Sequence, residues 1–171
     1  MKKLLLLRHG KSSWDDPSLA DFDRPLAPRG VKAAKRMGRE LAARDWLPER
    51  ALVSPAARTR ETWKLVSAKL PDAPAANLPK KLYGASAEDL LAQIRQVSGK
   101  VGTLLLLGHN PALEELARQL AGDESDGSAL AGLREKFPTA ALARFKFDGK
   151  WKELGPGTAR LTHCLRPKDL G

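Results

Sequence analysis

Leu4-Leu5-Leu6-Leu7-Arg8-His9-Gly10 and Leu104-Leu105-Leu106-Leu107-Gly108-His109-Asn110-Pro111 repeat one arrangement: four leucines, then a histidine two residues on, beside or next to a glycine. An apolar run this short, bounded by charge and glycine, fits a strand buried on both faces, as in a parallel sheet. A third apolar stretch, Ala51-Leu52-Val53, leads into Ser54-Pro55-Ala56-Ala57-Arg58. Helical patterns lie between them. Gly30–Trp46 places Val31, Ala34, Met37, Leu41 and Ala42 on one face, and Ala56–Leu70 reads as a second helix. Ser86 caps a third helix through Val97, with Leu90, Leu91, Ile94 and Val97 in one stripe. Pro111–Ala121 is a fourth, with Pro111 at its first position. Asp15–Arg29 and Pro71–Pro79 read as loops, and Gly122–Leu133 as a surface loop with some helix. Leu142–Phe147 and Trp151–Leu154 flank Asp148-Gly149, a hairpin signal, and Leu161–Leu165 suits an edge strand. This alternation predicts an α/β fold: a single three-layer domain over residues 1–171, with a mainly parallel sheet flanked by helices and a C-terminal β-hairpin and edge strand.

Composition narrows the function. The 171 residues suit one domain, and 42% hydrophobic with 29% charged residues reads as globular rather than disordered. Thirty Lys and Arg against twenty Asp and Glu give a net charge of +10, which favours anionic partners without choosing among them. The one cysteine, Cys164, excludes an internal disulfide and a Cys-rich zinc site. It is not the nucleophile of a C-x5-R phosphatase either, because Leu170 stands where the arginine belongs. No apolar run exceeds four residues, too short for a membrane helix. After Met1-Lys2-Lys3, Arg8 and His9 end the apolar stretch too early for a signal peptide, so a cytoplasmic protein is expected.

Ligands of open α/β sheets bind beyond the carboxyl ends of the strands. If the three strands are neighbours, His9, His109, Arg8 and Arg58 converge on one crevice. Arginine forks suit phosphate oxygens. An imidazole among arginines has its cationic form disfavoured, and so stays neutral and nucleophilic. Gly10 would let the backbone approach a phosphoryl group, and His109 precedes a helix N-terminus that favours an anion. One histidine can attack phosphorus while the other hydrogen-bonds its oxygens. A lone histidine at a strand end is more often a structural hydrogen bonder, and His163, beside Cys164 on the edge strand, is read that way. No H-x-x-x-H or H-x-H spacing exists, and arginines repel a cation, so neither metal nor other cofactor is expected.

Leu6-Leu7-Arg8-His9-Gly10-Lys11-Ser12 resembles the Arg-His-Gly signature of the histidine phosphatase superfamily, the phosphoglycerate mutase-like proteins. Ser54 to Thr62 resembles its Ser-x-x-x-Arg-(Ala/Thr)-x-x-Thr element. Gly108-His109-Asn110-Pro111 is similar to its second-histidine motif, and Asp23 to Gly30 to its Asp-x-x-Leu-Thr-x-x-Gly segment. The short chain and Arg24-Pro25-Leu26 are most similar to the SixA-type phosphohistidine phosphatases. The resemblance implies a nucleophilic His9, a second catalytic His109, and phosphate binding by Arg8 and Arg58; Gly10, Ser12 and Asn110 are expected to bind the phosphate with them. Ala27 departs from it, standing for the Thr that would cap the first helix, a loss of ~1 kcal/mol. Asp15 stands where many members carry a neutral Asn, so it is expected to point away from phosphate. The leaving-group acid aligns with no residue: Glu88 and Asp21 are candidates, with Asp16 behind them, and Glu88 and Asp89 suit the first turn of a capped helix equally well.

A phosphohistidine leaving group, an imidazole, needs less acid help than an alkoxide. Without lid-forming insertions the site is expected to be open to a phosphorylated protein. The expected function is therefore dephosphorylation of phosphohistidine in a protein; the alternatives are a small phosphate ester as substrate, or an anion- or nucleic-acid-binding module. Nucleic acid is disfavoured, since basic residues are dispersed and aromatics make up only 5%. Asp21-Phe22-Asp23 mimics the D-x-D of aspartate phosphatases but follows no apolar strand. No phosphate-binding G-x-x-x-x-G-K-[ST] loop occurs.

Overall fold

The two leucine runs lie side by side at the centre of the sheet. The computed structural model describes residues 1–170. In chain order its elements are β1 (Lys2–Arg8), α1 (Pro28–Ala43), β2 (Arg50–Val53), α2 (Ala57–Ser67), β3 (Ala76–Asn77), α3 (Ala87–Arg95), β4 (Thr103–Gly108), α4 (Ala112–Leu120), α5 (Gly127–Glu135), β5 (Leu142–Phe147) and β6 (Arg160–Leu165). The strands form one sheet in the order β3-β2-β4-β1-β5-β6. The first four are mutually parallel, while β5 runs antiparallel to both β1 and β6.

Side chains alternate across a strand, so each leucine run serves two cores. Leu4, Leu6, Leu104 and Leu106 pack with Leu90 and Ile94 of α3, Leu113 and Leu116 of α4, and Phe145 of β5. Leu5, Leu7, Leu105 and Leu107 pack on the opposite face with Met37 and Leu41 of α1 and Trp63 and Val66 of α2. All eight leucines are fully buried, each worth up to about 1.5–3 kcal/mol. This is the three-layer α/β arrangement that the alternation predicts.

Register then sets the site. Arg8 is level with Gly108 across the β1–β4 pair, and Val53 is level with Leu107 across β2–β4. The next residues on the two central strands are His9 and His109, and next on β2 comes Ser54. The three motifs therefore leave the sheet at nearly one height.

Several boundaries differ from the sequence reading. Trp151–Leu154 is not the second strand of the hairpin. Trp151–Glu153 forms a 3-10 turn that buries the indole, whose Nε1 donates to the Val101 carbonyl at 2.8 Å. The antiparallel partner of β5 is β6, the edge strand. Gly122–Leu133 contains most of α5, begun by Asp126, whose carboxylate accepts from the Ala129 N–H at 2.9 Å. The Pro71–Pro79 loop holds the two-residue β3. Helix α1 starts at Pro28, with Ala27 at a cap that makes no side-chain bond. Pro111 is itself the cap of α4 rather than its first residue. The expected Ser86 cap is present, within a reciprocal capping box with Asp89.

Gly10 and Gly30 meet where the strand-end loop crosses the first turn of α1. A Cβ on Gly10 would stand 2.8 Å from the Gly30 carbonyl oxygen, and one on Gly30 would stand 2.2 Å from that of Lys11. Gly10 is thus required by the crossing of two chain segments, a reason separate from any close approach to a ligand. No helix among the described residues is long and apolar enough to cross a membrane.

Candidate active site

His9 and His109 face one another with ring centroids 5.2 Å apart. His9 is only 7% exposed. Its Nδ1 lies 2.7 Å from the Gly10 carbonyl, which only accepts, so Nδ1 carries the proton and Nε2 keeps its lone pair. His109 is the mirror case. Its Nε2 lies 2.7 Å from Ser54 Oγ. With the Ser54 hydroxyl donating to this nitrogen, the ring proton stands on Nδ1, which has no other partner among the described residues. The pair combines a free lone pair with an N–H donor, which are the two properties a phosphoryl acceptor needs in neighbouring groups.

Arg8, at the end of β1, donates through one terminal nitrogen to the Phe137 carbonyl at 3.2 Å. Arg58, in the first turn of α2, donates to the Asp21 carbonyl at 2.8 Å and to Asp21 Oδ2 at 3.1 Å. Two buried side-chain atoms among the described residues lack a hydrogen-bond partner, Arg8 Nε and His109 Nδ1. Both belong to this cluster. Buried donors left unpaired are costly, and they collect where an acceptor is to be received.

Burial, opposed by the Gly10 carbonyl and reinforced by His109, Arg58 and Arg8, lowers the His9 pKa to about 3. Burial and then Arg58 and Arg8, opposed by Asp21, lower that of His109 to about 4. Both rings are neutral at physiological pH. Because an unfolded histidine titrates near ~6.5, the unfolded chain binds more protons than the folded one between that pH and these values. The stability of the neutral rings is therefore complete above pH 6.5 and falls as pH drops through the window. Between pH 7 and pH 5 the loss is about 2 kcal/mol for each ring. Urea denaturation at the two pH values is expected to show a smaller loss in His9→Asn than in the parent; an identical loss contradicts these titrations.

Asp21 reaches the site as an anion. Tyr83 Oη donates to its Oδ2 at 2.6 Å, and Arg24 pairs with Oδ1 at 3.2 Å. The Tyr83 hydroxyl, then Arg58 and Arg24, hold its pKa down to about 2. Asp21 is thus ionised at neutral pH, and its carboxylate grips Arg58. Glu88 is exposed in the first turn of α3, with Asp89 beside it in the capping box. Asp15 is exposed, and Asp16 accepts from the Ser18 N–H at 3.0 Å in a local turn.

Ser12 Oγ accepts from Arg24 at 2.7 Å. Asn110 Nδ2 donates to the Phe137 carbonyl at 3.0 Å, and Oδ1 accepts from the Glu114 N–H at 3.2 Å. Asn110 therefore ties α4 to the Phe137 segment that also holds Arg8. The Gly10 N–H donates to Thr62 Oγ1 at 3.0 Å, and Thr62 donates to the Arg58 carbonyl at 2.7 Å, linking the first motif to α2. His163 packs against Trp46 at 4.7 Å, outside the cluster, in the structural role expected of it. Burial pushes the Cys164 thiol up to about 11, far from a reactive thiolate.

Ser54, Arg24 and Tyr83 are site residues that sequence reasoning missed. Ser54 and Arg24 lie inside the quoted motifs, but nothing local marks what they touch. Tyr83, the single tyrosine, stands edge-on to His109 at 5.7 Å and has no motif around it.

Comparison with known proteins agrees with this geometry. Residues 4–81 match the family model of the histidine phosphatase superfamily (branch 1). The uncharacterized protein Rv1276c of Mycobacterium tuberculosis is 38% identical over 95% of this chain and all of its own length. A structure from Nakamurella multipartitia, described as a candidate phosphohistidine phosphatase SixA, is 28% identical and superposes with a TM-score of 0.85 over 97% of this chain and 96% of that one. Its counterpart from Agrobacterium tumefaciens is 29% identical, with a TM-score of 0.82 over 97% and 98%. The paired strand-end histidines, the arginines around them and these similarities have one common reading: the chain belongs to the histidine phosphatase superfamily.

Proposed function

We propose that the protein is a metal-independent phosphatase that removes the phosphoryl group from phosphohistidine in another protein, through a phosphohistidine intermediate on His9. The observation that carries the substrate reading is the state of Asp21. Asp21, the carboxylate that grips Arg58, is ionised and bound by Arg58, Arg24 and Tyr83, so it holds no proton ready for a poor leaving group. An alkoxide needs such a donor; an imidazole, which protonates near ~6.5, needs it far less. The likeness to the SixA-type structures points the same way.

In this reading the phosphoryl group sits between the two rings. Arg8 and Arg58 bind its oxygens, and His109 Nδ1 donates to them. Nε2 of His9 attacks phosphorus as the P–N bond to the substrate imidazole breaks, and that ring leaves with a proton from solvent. Water then attacks the phosphorus on His9, releasing inorganic phosphate and restoring the neutral ring. Asn110, Gly10 and Ser12 hold the surrounding segments.

Phosphate release from a phosphohistidine carrier protein and from an alkyl phosphate tests this. The carrier is expected to be the better substrate. Asp21→Asn, which keeps an acceptor for Arg58, is expected to lose less than the ~10²–10⁴-fold of general acid catalysis. A strong preference for the alkyl phosphate, or a thousand-fold loss in Asp21→Asn on both, means a small-molecule phosphatase with Asp21 as its acid.

A further inference from the structure

A cleft of about 460 Å³ lies beside the cluster, lined by Lys11, Arg29, Lys32, Arg36, Lys136 and Lys168 over an apolar floor that includes Ala33 and Pro138. Among the described residues no carboxylate lines it. The two nearest in sequence, Glu135 and Asp169, are both held by Arg166, at 3.2 and 2.8 Å. None of the six lining cations forms an ion pair among the described residues. The cleft lining is therefore strongly positive among the described residues.

The cleft adjoins the site. Lys136 and Pro138 flank Phe137, whose carbonyl accepts from Arg8 and Asn110. On the other side, Lys11 begins a segment that is pinned to Trp14. The Lys11 carbonyl accepts from Ala27 N–H at 2.8 Å, Ser13 N–H donates to the Pro25 carbonyl at 2.8 Å, and Ser12 Oγ holds Arg24. Trp14 is 71% exposed, and its ring is stacked on the Arg24 guanidinium at 3.1 Å. An exposed tryptophan held in place in this way is the kind of residue that anchors protein interfaces. The cations come from four separate segments around an open groove, a geometry that suits an extended acidic surface better than one compact anion.

We propose that this cleft, with the exposed Trp14 three residues along the chain from its lining Lys11, docks an acidic surface of the protein that carries the phosphoryl group; the identity of that carrier rests on the function proposed above. Charge complementarity of this kind raises encounter rate and selects partners.

The test uses Arg29→Glu/Lys32→Glu, two exposed positions in the first turns of α1 where acids suit the helix dipole. The control is Lys100→Glu/Lys152→Glu, the same charge change on exposed residues at the opposite end of the sheet. Poly-L-glutamate binding is measured by titration calorimetry, and kinetics are measured on an acidic phosphohistidine carrier protein and on phosphoramidate. The cleft variant is expected to bind poly-L-glutamate, and to show a KM for the carrier, roughly tenfold worse than the control. Its kcat and its phosphoramidate kinetics should be unchanged. Equal losses in both variants, no loss in either, or tight binding of inorganic triphosphate in the cleft without any poly-L-glutamate binding overturns the proposal. If the parent protein never dephosphorylates the carrier but poly-L-glutamate binding is lost in the cleft variant alone, the substrate reading fails and the acidic docking surface stands.

Discussion

Arg58→Lys is expected to lower kcat/KM by about 10²–10³-fold, the scale of losing a placed donor to a transition-state oxygen, while the fold survives. Arg58 is buried in the first turn of α2, and both of its terminal nitrogens point to Asp21. That shared grip fixes the plane of the guanidinium before any phosphate arrives. A planar fork held this way offers two parallel N–H groups to two oxygens; an ammonium offers a point charge with no fixed plane. Arg60 gives the internal comparison. It is exposed, and its Nε donates to the Pro55 carbonyl at 2.9 Å, outside the cluster. Arg60→Lys changes the same chemistry in the same helix and is expected to leave turnover within a factor of about 3, as for a surface substitution. Equal losses at the two positions would mean that overall charge, not the orientation of one guanidinium, supports the reaction.

His9→Ala is expected to have the larger effect, a loss on the order of 10⁴-fold or more, as when a covalent nucleophile is removed. No other ring in the cluster can replace it. The Nε2 of His109 is engaged with Ser54, and Nδ1 carries its proton, so its free face presents a donor rather than a lone pair. The loss should not come from unfolding. The one side-chain hydrogen bond of His9 is to its own neighbour Gly10, and removing a buried ring that resists protonation relieves the stability loss at acid pH. Circular dichroism of His9→Ala should therefore match the parent at pH 7, with the melting temperature lowered only by the cavity the ring leaves.

The sheet and the histidine pair were legible in the sequence because one feature specifies both. Each four-leucine run states that its strand is buried on both faces, and such strands belong at the centre of a parallel sheet. The residues just past their ends then share a crevice, and with Leu4 level with Leu104 the equal spacing from leucine to histidine puts the rings at one height. Arg58 was legible through its place one turn past a strand end. What stayed hidden depends on contacts remote in sequence. Tyr83 and Asp21 are separated by 62 residues and meet only because both flank Arg58. Before that meeting is known, Asp21 is one more loop carboxylate; its grip on Arg58 shows only once the hydroxyl and two guanidiniums are seen around it. The second strand of the hairpin misled because Asp148-Gly149 does turn the chain, but Trp151 gains more from burying its indole over Val101 than from pairing with β5, and pairing waits until Arg160. Helix α5 was masked by the Gly, Ser and Asp residues that begin it, which read as loop until Asp126 is seen as a cap.

The central claim is that phosphorus passes through His9, and rapid-quench labelling tests it most directly. The enzyme would be mixed with a ³²P-phosphohistidine carrier, quenched in alkali within milliseconds, digested and mapped by mass spectrometry. The account predicts acid-labile, alkali-stable phosphate on the peptide containing His9, formed and lost at rates compatible with turnover and absent in His9→Ala. Label that appears instead on His109 or on a carboxylate, or turnover that proceeds in His9→Ala with no labelled enzyme, would contradict it.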